Sequence, residues 1–123
     1  MKKPIPFNFL LDYLPAMIKI VPAIGMYYIY FDQKIMVMFR KVNKNPQYNG
    51  IWISAQNEHH ASLKAEIPAI TDFVFEEGEL VKTPWLLLPD DHEDFEQAAI
   101  QLCELVAQKD SRVGRVTPKS KMT

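Results

Sequence analysis

Glu58, His59 and His60 stand together in "WISAQNEHHASLKAEIP" (residues 52–68), which holds two of the three histidines in the chain. Imidazole beside a carboxylate is the material of acid–base catalysis and of metal ligation. The spacing argues against both. Adjacent residues of a helix point about 100° apart, so one ion cannot readily take both rings. Metal-binding helices place ligands four residues apart, as in H-E-x-x-H. Four residues from these histidines stand Ala55, Gln56, Leu63 and Lys64, so no local ligand set exists. A site would need His92 or carboxylates from elsewhere. The favoured reading is a helix start, with His60 on the Leu63–Ile67 stripe bordering the core and His59 facing solvent.

Other reactive residues read the same way. Cys103 neighbours Glu104 and lies on a stripe with Ala99 and Val106. A reactive thiol needs an electropositive, accessible setting, so a buried small hydrophobe is expected. No G-x-S-x-G, phosphate-binding glycine loop or C-x-x-C occurs, and "PDDHEDFE" lacks the ligand spacing of a calcium loop. The expectation is a non-catalytic domain with no metal and no cofactor. An enzyme assembled from His59, His60 or His92 is the least favoured alternative.

Two surfaces survive as candidates. Arg112, Arg115, Lys119 and Lys121 form a basic C-terminal segment, with Arg40, Lys41 and Lys44 as further cations. Phosphate or nucleic-acid binding is one reading of these residues, and a polar, soluble terminus is the other. The second surface belongs to "IGMYYIYFDQKIMVMFRK", residues 24–41. Two runs of β-branched and aromatic residues flank Asp32-Gln33, a hairpin pattern. Alternation sends Met26, Tyr28 and Tyr30 one way and Tyr27, Ile29 and Phe31 the other; Met36 and Met38 oppose Ile35, Val37 and Phe39. Both faces are apolar, so both must be covered. Tyr28, Tyr30, Met36, Met38 and Trp52 are therefore candidates for a ligand groove, a dimer interface or a second core layer. Core packing plus homodimer burial is weighed above a small-molecule ligand surface.

The elements that must position these residues follow from the same patterns. Phe7, Leu10, Leu11 and Leu14 predict a short helix over 7–14, with Asn8 as its cap and Pro15 as its end. After the hairpin come a strand at "GIWIS", a helix over 58–66 stopped by Pro68, a strand at "AITDFVF", a turn at "EEGE" and a strand at "LVKTPWLLLP". Phe95, Ala98, Ala99, Leu102, Leu105 and Val106 predict an amphipathic helix over 92–109. Asp90, Asp91, Glu93 and Asp94 then sit at its positive end. The fold class expected is α+β: a single antiparallel sheet of about five strands, helices packed on one face, and an amphipathic C-terminal helix.

Length bounds the rest. A chain of 123 residues is read as a single domain, 1–123, with residues 110–123 a basic, partly mobile tail. Formal charge is uneven: +5 over residues 1–50, −10 over 51–107 and +4 over 108–123. An anionic partner or complementarity within the chain would each account for that layout. The uncharged, largely apolar run Ile20 to Phe31 falls far short of the roughly 20 residues of a membrane span. One cysteine and no signal-peptide pattern lead to a cytoplasmic expectation.

The hairpin "IGMYYIYFDQKIMVMF" resembles the glycine–strand–D-G-K–strand element of the YjbR (MmcQ-like) and TfoX N-terminal domain families. "WLLLPDDHEDFEQAAIQLCELV" resembles their closing strand, acidic link and last helix. The similarity spans about residues 20–107. Gly25, Asp32 and Lys34 match, whereas Gln33 replaces the usual glycine and "GIWIS" lacks a frequent lysine. The resemblance implies an antiparallel sheet backed by helices and no catalytic motif. YjbR-like proteins are often labelled DNA-binding, and the TfoX domain belongs to a competence regulator.

Overall fold

Asp32 and Gln33 both adopt positive φ, 55° and 59°, as a two-residue hairpin turn of type I′ requires. Around that turn the computed structural model, which describes residues 5–73 and 83–122, builds one sheet. Its strands are β1 (Lys19–Ala23), β2 (Met26–Phe31), β3 (Lys34–Arg40), β4 (Gly50–Ser54) and β5 (Trp85–Pro89). They lie in chain order and every neighbouring pair is antiparallel. Two α-helices, α1 (His60–Glu66) and α2 (Phe95–Ala107), complete the α+β fold.

One of the five strands differs from the expected set. β1 precedes the hairpin and contains Pro22, which an edge strand tolerates because its outer side needs no ladder donor. Among the described residues of the strand expected at "AITDFVF", Thr71 alone pairs, exchanging backbone hydrogen bonds of 2.8 and 2.9 Å with Leu87. The remainder of that strand from Val74, the "EEGE" turn and the start of the next strand lie outside the described residues. The first helix is a 3₁₀ helix, Asn8–Tyr13, entered through Phe7 rather than capped by Asn8. α2 begins at Phe95, not at residue 92, so Asp90, Asp91 and Glu93 belong to the approach to the helix.

Alternation along the central strands sends Ile29, Val37, Phe39, Ile51, Ile53, Leu86 and Leu88 to the helix side. There they form one buried cluster with Leu10, Leu63, Phe95, Ala99, Leu102 and Val106. Phe7 closes it, its ring 6.0 Å from Phe39 and 5.1 Å from Phe95. The alternation breaks once. Ile29 pairs with Val37 but Tyr30 pairs with Ile35, so Met36 is a bulge residue and joins the helix-side cluster instead of sharing a face with Met38.

The C-terminal segment runs beside β3 where β4 has ended. Arg115 exchanges two backbone hydrogen bonds with Ile35, and the Gly114 amide donates to the Ser54 carbonyl at 2.6 Å. Val113 is buried. Gly114 has φ +104°, and a Cβ there would stand 2.5 Å from Met36 Sδ. Only glycine allows this approach.

Candidate functional site

The sheet face opposite the helices carries a row set by register: Val21, Tyr28, Met38, Trp52, Leu87 and Thr71 lie side by side across the strands. Ser54 and Trp85 pair in the adjoining row. Trp52 is the centre of a ring cluster, with centroids 4.5 Å from Phe73 and 6.1 Å from Trp85; Tyr48 lies 6.1 Å from Phe73. The Trp52 indole N–H donates to the Tyr48 carbonyl at 2.9 Å, which fixes the plane of the ring. Trp52, Trp85 and Tyr28 are half-buried, whereas Met38, Tyr30 and Leu87 are buried. Burial and the neighbouring Tyr28 push the Tyr30 phenol up.

Arg115 enters this face from the C-terminal segment. Its pairing with Ile35 carries the side chain over Trp85, with the guanidinium carbon 5.4 Å from the ring centroid. Its Nε donates to Ser54 Oγ at 2.7 Å. Loss of solvent pulls the guanidinium below the usual range for arginine.

The other cations named from the sequence go elsewhere. Arg112 donates to Asp110 through Nε and Nη2 at 2.9 Å, to Ser62 Oγ at 2.8 Å and to Glu66 Oε1 at 2.6 Å. These contacts tie the C-terminal segment to α1. They raise the Arg112 guanidinium and hold the Asp110 carboxyl below the usual carboxylate range. Arg40 donates to the carbonyls of Lys44 and Asn45 and to buried Asn49, so it shapes the β3–β4 connection. Lys41 pairs with Asp90. The basic ends thus meet the acidic middle within one chain, at Lys41–Asp90 and Arg112–Glu66. Lys119 and Lys121 are exposed near the end of the chain.

The histidines stay local. His59 faces Glu58 at 3.9 Å, His60 Nε2 lies 2.9 Å from the Ala55 carbonyl, and His92 Nδ1 accepts from the Asp94 amide at 3.0 Å. Among the described residues no group of three or more His, Cys, Asp or Glu side chains could hold a metal ion. Cys103 is buried in α2, and its thiol is pushed up to about 12 by desolvation and by Glu104. An open cleft at the start of α2 is lined chiefly by Asp90, His92, Glu93 and Asp94. No helix among the described residues is long and apolar enough to cross a membrane.

Sequence reasoning identified Tyr28 and Trp52 but not Ser54, Tyr48 or Phe73. Ser54 was within reach, since it is two residues beyond Trp52 on the same strand. Tyr48 sits in a polar turn and Phe73 beyond an isolated bridge, where no periodicity applies. No family model, curated protein or solved structure matches the chain.

Proposed function

We propose that this chain is a non-catalytic binding or regulatory domain and that the aromatic sheet face is its recognition surface. The observation that carries the reading is the half-buried pair Trp52 and Trp85, packed edge to face on the side of the sheet away from the helices. Indole rings held this way offer apolar area with little side-chain entropy left to lose, the property that makes such residues anchors in interfaces. The engaged histidines and the buried thiol support a non-catalytic role. So does the hairpin resemblance to YjbR-like and TfoX N-terminal domains. A cytoplasmic setting and a homodimer through this face belong to the same reading.

A nucleic-acid reading built on the basic residues draws less support. Arg112, Arg40 and Lys41 are already paired inside the chain, and Arg115 lies on the aromatic face.

The test follows the two indole N–H resonances of ¹⁵N-labelled protein, with sedimentation run alongside. A dimer through this face shifts both resonances with protein concentration as the sedimentation coefficient rises. A ligand on the face shifts them at constant mass. A bound partner or a dimer that leaves both indoles unmoved places recognition elsewhere and overturns the proposal.

A further inference from the structure

The chain has three arginines, and they are not used alike. The guanidiniums of Arg112 and Arg40 donate from both η nitrogens to oxygens of their own chain. Arg115 donates only through Nε, to Ser54 Oγ. Its two η nitrogens have no hydrogen-bond partner among the described residues, and neither is sealed from solvent, since among those residues no buried side-chain nitrogen lacks a partner. The side chain is nonetheless fixed, by Ser54 at Nε, by the Trp85 ring beneath it and by the backbone pairing with Ile35.

We propose that Arg115 is an oxyanion seat: a carboxylate or phosphate group on the ligand meets the two η nitrogens while the ligand's apolar body lies toward Trp85 and Trp52. This rests on the reading of the aromatic face as the recognition surface. Two parallel N–H donors match the two oxygens of a planar carboxylate or two of a phosphate. The fork is pre-organised, so little side-chain freedom is lost when the anion arrives. Partial loss of solvent around the guanidinium strengthens the attraction, because the fixed charge is less screened. No ion pair of Arg115 occurs among the described residues, so an incoming anion displaces no salt bridge.

The experiment titrates the ¹⁵N-labelled full chain with benzoate, phenyl phosphate and neutral benzyl alcohol, reading the two indoles and the Arg115 Nε–H. Acetate and inorganic phosphate report the anion without an apolar body. At least one aromatic anion is expected to bind tenfold or more tighter than benzyl alcohol. Arg115→Gln removes that difference, and Arg115→Lys, which keeps the charge but not the fork, restores it only in part. Preference between benzoate and phenyl phosphate identifies the anion. If benzyl alcohol binds as well as the anions and Arg115→Gln changes nothing, the oxyanion seat is overturned and the recognition face stands. If no probe moves either indole, the oxyanion seat is overturned, and the recognition face is judged separately by the concentration dependence of the indole resonances and by sedimentation. Should Arg115→Gln fail to fold, Ser54→Ala unseats Nε and is expected to weaken anion binding severalfold without touching benzyl alcohol. Unchanged anion affinity in that variant would overturn the seat.

Discussion

Ser120 Oγ lies 2.9 Å from the carbonyl of Gln33, a residue 87 positions earlier at the tip of the β2–β3 hairpin. The same hydroxyl accepts from the Thr117 amide at 2.7 Å, and Ser120 is buried. The C-terminal segment therefore ends as a pinned turn. Ser120→Ala removes the partner of the part-buried Gln33 carbonyl and Thr117 amide, a loss of about 0.5–1.5 kcal/mol. Urea denaturation should show a lower midpoint with little change in slope. Ending the chain at Asp110 removes buried Val113 and the Arg112 contacts as well, and should lower the midpoint further than Ser120→Ala does.

Gln33 itself is poorly suited to its position. At φ 59° its Cβ crowds the backbone, whereas glycine meets no such contact. Gln33→Gly should stabilise the domain by about 0.5–1 kcal/mol after the extra freedom of glycine in the unfolded chain is set against it. The carbonyl that Ser120 reaches is backbone and survives the change. Thermal and urea midpoints should both rise, and a fall in either would mean the Gln33 side chain makes a contact worth more than the strain.

The turn was legible in advance because two runs rich in β-branched and aromatic residues flank Asp32-Gln33, even though Gln33 is unusual there. The β4 and β5 strands were legible as short apolar runs, and α2 by its three- and four-residue apolar period. What resisted reading depended on contacts distant in sequence. β1 is the exception: it pairs with its sequence neighbour β2 across Ile24-Gly25, but it is short and bears a proline, which argues against a strand. The Met36 bulge answers the close approach of Gly114, which nothing near residue 36 announces. Of the candidate face, Tyr28 and Trp52 came from alternation alone. The position of Arg115 came only from the docking of the last segment beside Ile35.

Asp110 and Arg112 predict the shape of the acid limb of stability. Asp110 titrates lower in the folded chain than its ordinary 3.8 because Arg112 donates to it and faces it as a charge. A depressed carboxyl stabilises the fold above the unfolded value, and that contribution drains away as pH falls through the folded one. Denaturation midpoints measured from pH 6 down to pH 2 should therefore drop in that lower range. Asp110→Asn should be less stable than wild type near neutrality, with the difference narrowing toward pH 2. A constant difference across the range would mean that Asp110 acts through packing and not through its charge.

Cys103 offers the most direct check on the helix-side core. The thiol is 1% exposed, and burial followed by the charge of Glu104 pushes it up to about 12, so at pH 8 almost none is thiolate. Because the thiolate is the nucleophile, both access and ionisation oppose attack. Native protein should react with a disulfide reagent at pH 8 only as fast as it opens. Protein in strong urea should react fully within the mixing time of an ordinary assay. For linkage the sign runs opposite to Asp110: a thiol raised on folding stabilises the native state below its unfolded value, and that stability is lost as pH climbs toward 12. Cys103→Ser places a hydroxyl among Ala99, Leu102 and Val106, and should cost about 1–3 kcal/mol unless it bonds back to its own helix. Cys103→Ala should cost less than Cys103→Ser. Rapid reaction of the native thiol would show α2 lifting from the sheet on the timescale of the assay.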